Sequence, residues 1–291
     1  MLLHGVSFGW MGDGIRDGGN VSFYIRKVNY HQWKPRFVKT AILREVSASL
    51  GRCELTHIER EPIDVGVARA QHSEYERVLA SLGCSIVLLP EQPELPDAVF
   101  VEDTAIVLAE LAMITRPGAL SRRPEAPSVA AALARYRRLV HIEAPGTIDG
   151  GDVLVAGTNV FIGETGRSNG HAIEQVARAL HPLGYVVRGV PVNGCLHLKS
   201  AATLCGPNTL LVNPAWVDPA LFRGNAIIDV DPLEPHAANA LLLDGGIVYP
   251  SSFPRTRERL RALGMTVHDI DLSELAKAEG AVTCCSLIVR D

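Results

Sequence analysis

Short apolar runs separated by turn residues recur from about residue 97 to the C-terminus. AVFVEDTAIVLAELAMITRPG, GGDVLVAGTNVFIG, LHLKSAATLCGPNTLLVNP, ANALLLDGGIVYP and TCCSLIVR each give polar residues and an apolar run; all but the last add a turn and a second run. Asp103, Asp149, His197, Asn239 and Cys284 stand at equivalent points, at intervals of 46, 48, 42 and 45, and self-similarity at such a period marks a repeated structural unit. The turns carry what hairpins need: Gly157-Thr158-Asn159, Gly206-Pro207-Asn208 and Asp244-Gly245-Gly246. Between hairpins, Val67–Gly83, His171–Gly184 and Thr256–Gly264 space their apolar residues as helices do and stop at glycine.

A chain alternating hairpins with helices must bury its apolar strands inside and cover them with helices. The last unit, TCCSLIVR, supplies one strand, and the natural partner is TAILREV at Thr40–Val46. The two ends of the chain then close a ring of five units. Polar residues at the ends of the inner strands converge on its axis, which is where an active site is expected. Residues 1–36, with the glycine-rich DGIRDGGN, lie outside the repeat and read as an N-terminal extension, poorly ordered or beginning at a misassigned start. Residues 37–291 read as a single catalytic domain.

Composition narrows the class. With 47% hydrophobic and 21% charged residues the chain is an ordinary globular protein with a sizeable core, and its formal charge of -4 comes without a Lys/Arg block. The electrostatic footprint of a nucleic-acid binder is missing, so a small-molecule ligand is the default. The first residues lack a basic start and a long apolar run, and no apolar stretch approaches about 18 residues, so a cytoplasmic protein without membrane partners is expected. Six cysteines (53, 84, 195, 205, 284 and 285) form no CxxC pair and read as free thiols. Of the adjacent pair, only one can face a given pocket if the segment is extended.

The strand ends gather Asp97, Glu102, Asp103, Asp149, Asp152, His197, Glu279 and Cys284. Several carboxylates, one imidazole and one thiol suit a flat cation whose N–H groups each find an oxygen, and guanidinium fits that description. Its carbon is resonance-stabilised and resists water, so a thiolate nucleophile at Cys284 and an acid/base at His197 would be needed. Taken alone, His197 between two leucines reads as a core histidine, and Cys284 as an inert buried thiol. The pair Glu102-Asp103 is harder to dismiss, since charge inside an apolar run is costly unless paired. Anions around the site oppose thiolate formation in the empty protein, so the cationic substrate is expected to help ionise Cys284. Arg116, Arg122, Arg123 and Arg167 follow apolar runs and could grip a carboxylate or remain solvated loop charges.

LPDAVFVEDTAIV, ITRPGALSRR, TIDGGDV, VFIGETGRSN, LHLKS and TCCSLIV, in that order, resemble the dimethylarginine dimethylaminohydrolase family of the pentein superfamily. The resemblance runs from about Thr40 to the C-terminus. It implies an α/β fold, a five-bladed pseudo-symmetric propeller of ββαβ-type repeats. It implies hydrolysis of methylated arginine to citrulline through a covalent intermediate on Cys284, with His197 as acid/base and Asp149 orienting it. It further implies that Asp97, Glu102 and Asp103 bind the guanidinium or line the nucleophile's pocket, that Arg122 and Arg167 grip the substrate carboxylate, and that the Leu55 backbone meets its amino group. Glu279 stands where some relatives have Asp.

The chemistry requires no cofactor, and no spacing demands a metal, although Cys284, His197 and a carboxylate could trap zinc as an inhibitor. A homodimer is compatible with the sequence and not required by it. Two other readings share these residues: an arginine or agmatine deiminase releasing ammonia, and a catalytically silent pentein scaffold. Against the first, no FTRD-type segment is present; against the second, a scaffold needs no nucleophile, acid/base or guanidinium binders.

Overall fold

The computed structural model describes residues 39–290; the reading of residues 1–36 as an extension falls outside them. Five three-stranded sheets account for all the named strands. The described residues open with β1 (Lys39–Arg44), cross through helix α1 (Val65–Ser81) and return as β2 (Cys84–Leu89). The second unit is β3 (Ala105–Val107), β4 (Leu111–Ile114), α2 (Ala126–Leu133) and β5 (Arg138–His141). The third is β6 (Val153–Ala156), β7 (Asn159–Glu164), α3 (Gly170–Leu180) and β8 (Val186–Pro191). A short helix α4 (Leu198–Ala201) leads into β9 (Ala202–Gly206), β10 (Thr209–Val212) and β11 (Ala226–Asp229). The last full unit is β12 (Leu241–Leu243), β13 (Gly246–Pro250), α5 (Pro254–Ala262) and β14 (Val267–Ile270), followed by helix α6 (Ser273–Ala276) and β15 (Leu287–Arg290).

In each sheet two strands pair antiparallel and the third lies parallel to the middle one. That order follows from connection length: a tight turn can only join antiparallel neighbours, and a parallel return needs a crossover. Three of the hairpin units and the closing unit cross over through a helix; the fourth uses only a 3₁₀ turn at Pro219–Leu221, so the ββαβ form is incomplete there. β15 pairs antiparallel with β1, Lys39 opposite Arg290 and Ile42 opposite Leu287, and the ring of five blades closes as the sequence predicts.

Helices cover the outside because their apolar stripes have nowhere else to go. α3 buries Ala172, Val176 and Leu180, one residue per turn, and begins where the Asn169 side chain accepts the Ala172 N–H. α1 starts at Asp64, which accepts the Val67 N–H, and buries Ala68, Tyr75 and Leu79. Tyr75 matters beyond packing. Its hydroxyl donates to the Val282 carbonyl at 2.6 Å and meets Ser286 Oγ at 2.8 Å, fixing the turn that carries Cys284 from beneath. No helix among the described residues is long and apolar enough to cross a membrane.

Candidate active site

The landmark residues all sit just before the first strand of a blade. Glu102 and Asp103 occupy a 3₁₀ turn, Val101–Thr104, leading into β3; Asp149 precedes another, Gly150–Asp152, leading into β6. His197 caps α4 ahead of β9, and Cys284 lies in the turn ahead of β15. Repeating the blade therefore brings residues far apart in sequence to one end of the ring.

Two glycines let the turns touch. A Cβ on Gly151 would lie 2.6 Å from His197 Nδ1 and 2.7 Å from Asp103 Oδ1, and one on Gly150 would lie 2.0 Å from the Glu102 carbonyl oxygen. No other residue fits at either place without moving the site, which explains the paired glycines of TIDGGDV.

His197 is buried among carboxylates. Its Nε2 lies 3.1 Å from Asp149 Oδ2, while Nδ1 is 3.8 Å from Asp103 Oδ1, too far for a direct hydrogen bond. Asp149 is held in turn by the Gly118 N–H on Oδ1 at 2.9 Å. Asp152 is fully buried; it accepts the Leu198 N–H and the hydroxyls of Thr165 and Ser168, tying the histidine's helix to the loop that carries Arg167. Burial alone would lower the His197 pKa, but the Asp103, Asp149 and Asp152 charges outweigh it and push it up to about 9. Burial opposes ionisation of Asp103 as well, yet His197 and Arg122 hold its carboxyl down at about 2. Asp152, dominated by burial, rises to about 6.

The two cysteines lie in a turn, so the strand alternation expected from the sequence does not apply to them, yet they differ in burial. Cys285 is fully buried, whereas Cys284 is partly exposed, and the Glu102 N–H donates to the Cys284 carbonyl at 3.1 Å. Burial, then the nearby Glu102 and Asp103 charges, push the Cys284 thiol well above its ordinary range. Asp103 is the charge common to the two groups: it helps raise the Cys284 thiol and helps keep His197 protonated.

Glu102 is bound on both oxygens, by Lys199 Nζ at 2.7 Å and by Thr283 Oγ1 at 2.7 Å. Asn239 locks the same corner. It accepts the Thr283 N–H and donates to Thr283 Oγ1 and the Lys199 carbonyl. Sequence reasoning gave Asn239 a place in the repeat and no role, and passed over Lys199 and Thr283; the signal was their position, two residues after His197 and one before Cys284.

Arg122 points inward. Nη1 lies 2.5 Å from Asp103 Oδ2, Nε and Nη2 both bond Glu125, and Nη2 also meets the carbonyls of Asp97 and Phe100 at 3.2 and 3.1 Å. Every nitrogen of its guanidinium is engaged, which differs from the open carboxylate grip the resemblance implies. Arg167, by contrast, lies toward the mouth of the site, where Nη2 meets Thr56 Oγ1 at 3.1 Å. Thr56 belongs to the segment between Cys53 and α1, which meets Asp97, Ser121, Arg167 and Glu279. There Asp97 accepts the Glu54 N–H at 3.1 Å, Ser121 Oγ donates to the Glu54 carboxylate, and Glu279 accepts the Thr56 and His57 N–H groups at 2.8 and 2.7 Å. Leu55, half-buried, rests with Cys284 against one apolar cluster that includes Phe100, Val282 and Cys285.

This arrangement has close counterparts. The chain is 38% identical over 256 residues to the N(G),N(G)-dimethylarginine dimethylaminohydrolase of Streptomyces coelicolor, covering 87% of this chain and 98% of that one. The chain belongs to the dimethylarginine dimethylaminohydrolase family. A second member, from Pseudomonas aeruginosa, is 36% identical over 226 residues, covering 77% of this chain and 89% of that one. The structure of a Pseudomonas aeruginosa cysteine-to-serine mutant complexed with citrulline superposes with a TM-score of 0.83 at 34% identity, covering 87% of this chain and 99% of that one. No protein-family model matches the chain.

Asp103, Asp149 and His197 present atoms within 4.8 Å of one another, a set capable of holding a metal ion. Around that set, Arg122 lies on Asp103 Oδ2, the Gly118 N–H donates to Asp149 Oδ1, and the carboxylates favour a proton on His197.

Proposed function

We propose that this chain, through one catalytic unit spanning residues 37–291, hydrolyses methylated arginine to citrulline and methylamine or dimethylamine. The observation that supports the reading is the buried His197 ring held by Asp149, with Asp103 as a neighbour whose charge acts on both that ring and the partly exposed Cys284 thiol. The guanidinium cation comes to the Glu102 and Asp103 charges, which its own charge offsets. Cys284 then loses its proton to solvent more readily than in the empty site. Its sulfur attacks the central carbon, forming a C–S bond and a tetrahedral adduct.

His197, charged below about pH 9, gives the proton on its free nitrogen to the methylated amine as the C–N bond breaks. An amidino-thioether cation remains on Cys284. The neutral His197 draws a proton from water, the resulting hydroxide forms the C–O bond, and the C–S bond breaks to release citrulline and the thiol. These steps ask for no cofactor. Asp149 holds the ring in place and favours the charged imidazole throughout.

Arg167 is proposed to meet the substrate carboxylate at the mouth. Arg122 can join it only by exchanging its two carbonyl bonds on Nη2 for the incoming oxygens. The test is a citrulline assay with asymmetric dimethylarginine, monomethylarginine, arginine and agmatine side by side, repeated on Cys284→Ser. Turnover of the methylated substrates that falls by about 10³-fold or more in the variant is expected. Preference for arginine or agmatine would transfer the chain to the deiminase reading, and undiminished turnover in Cys284→Ser would remove the nucleophile.

A further inference from the structure

We propose that Glu279 is a positioning residue: it latches the Cys53–Asp64 segment over the active site and controls how tightly substrate is held, without touching the reacting atoms. The inference rests on the guanidine-hydrolase reading of the cavity beneath.

Glu279 uses both carboxylate oxygens on consecutive backbone N–H groups of that segment, Thr56 to Oε2 at 2.8 Å and His57 to Oε1 at 2.7 Å. Hydrogen bonds to an ionised acceptor are the stronger kind, and the arrangement leaves no oxygen of Glu279 aimed elsewhere. Among the described residues, Glu279 is also the one non-glycine residue with a positive φ, at 57°. A side chain rarely occupies that region without a compensating contact. Here the left-handed turn aims the carboxylate at the segment, and Gly280, whose Cβ would lie 2.2 Å from Phe100 Cε1, lets the chain continue into the nucleophile's turn. The latch is thus five residues from Cys284 along a tightly packed turn.

Two other ties of the segment, the Glu54 N–H on Asp97 and Arg167 on the Thr56 hydroxyl, use groups proposed to handle substrate, which an arriving substrate can draw on. The remaining ties lie toward its ends: Ser121 Oγ donates to the Glu54 carboxylate, Lys277 Nζ to the Pro62 carbonyl, and the Asp64 N–H to Glu274 Oε2. Glu279 holds the consecutive Thr56 and His57 N–H groups without calling on a substrate-handling group. The segment itself is largely exposed from Glu54 to Glu61, with only Leu55 and Ile58 half-buried, so little apolar burial competes with the latch.

Glu279→Gln replaces one of the two acceptor oxygens with an NH₂ that faces a backbone N–H, and Glu279→Asp keeps the charge on an arm shorter by about 1.5 Å, one C–C bond. Hydrogen exchange in the free protein is the first readout. The Thr56 and His57 amides are expected to exchange about 10-fold faster or more in Glu279→Gln, with amides of β1 and β4 unchanged and partial restoration in Glu279→Asp. KM for dimethylarginine is expected to rise about 10-fold with kcat unchanged or raised, because the lost contact is to the segment and not to the transition state.

A substrate analogue lacking the α-amino group separates a latch from direct contact with substrate. The latch predicts that Glu279→Gln weakens binding of the analogue and of the full substrate by the same factor. Loss confined to the full substrate would make Glu279 a direct ammonium ligand and overturn the proposal, as would unchanged exchange at Thr56 and His57. The exchange experiment needs no turnover, so a chain inactive on dimethylarginine would refute the proposed reaction and leave the latch standing or falling on its own.

Discussion

The walls of this site and its cover are built on different terms. Around His197, four polar side chains with exposures of 0 to 4% hold one another: Asp103, Asp149, Asp152 and the imidazole itself, backed by Arg122 and the Gly118, Gly151 and Leu198 N–H groups. Across the mouth, the Cys53–Asp64 segment is mostly exposed and tied to the site by a few hydrogen bonds from its own backbone and side chains. A buried network of hydrogen-bonded charges is rigid and expensive to break, whereas an exposed strap held by a few bonds opens at little cost. The difference teaches which part supplies chemistry and which supplies access. Preorganised charge belongs in the walls, where no reorganisation is needed during reaction, and reversible contacts belong in the cover.

The comparison is broken most severely by attacking the wall. Asp149→Asn keeps the shape of the side chain, removes the charge beside His197 and is expected to lower kcat by about 10²–10³-fold. The sign of its pH effect follows from the raised imidazole. With its pKa near 9, His197 is charged through neutral pH, and kcat/KM should fall as pH rises through that value. Removing one of the carboxylates that raise it should bring the alkaline limb down by about one pH unit or more. Stability moves with the same groups. Because the folded imidazole titrates near 9 and an unfolded one near 6.5, its contribution is fully present below 6.5 and is lost as pH rises through 9. Asp103, held near 2, acts in the opposite sense: its contribution is present above about 4 and is lost as pH falls through 2. Asp152, raised to about 6, contributes stability below about pH 4 that is lost as pH rises through 6. Denaturant titrations from pH 3 to 10 should therefore show stability declining above about pH 4 and falling further toward 9, and Asp149→Asn should move the alkaline fall to lower pH.

A smaller effect sharpens the other half. Arg167→Gln removes a charge at the mouth whose bond to the protein is to the Thr56 hydroxyl, so the wall stays intact. KM for dimethylarginine should rise by about 10- to 100-fold with a lesser fall in kcat, since one carboxylate contact is lost in substrate and transition state alike. Initial-rate kinetics on the full chain settle this. A collapse of kcat with KM unchanged would instead place Arg167 among the groups that act only in the transition state.

The walls were far more legible in the sequence than the cover. A repeat with landmarks 42 to 48 residues apart brings Asp103, Asp149, His197 and Cys284 to one end of a ring before any coordinate is known, because equivalent positions in equivalent units face the same way. Charge in an apolar run singled out Glu102 and Asp103 for the same physical reason that they are buried and paired. What periodicity does not encode is the direction of a long side chain. Arg122 could as readily have faced solvent, and its turn inward to Asp103 and Glu125 depends on a buried acid three residues away that no motif announces. Glu279 was placed near substrate, but its partners lie 223 and 222 residues upstream on a segment without repeat or helix. Lys199 and Thr283 escape notice likewise, and Asn239 shows only as a landmark without a role, since all three satisfy one another and Glu102.

The central claim is that one thiol of an adjacent pair becomes covalently bonded to the guanidino carbon while the other stays a packing residue. Rapid-quench mass spectrometry of the chain during turnover of dimethylarginine measures this directly, by locating an amidino adduct on the peptide that contains both cysteines. The adduct should appear on Cys284 within the first turnover and decay as citrulline forms. Adduct on Cys285, or citrulline accumulating with neither sulfur ever modified, would contradict the account.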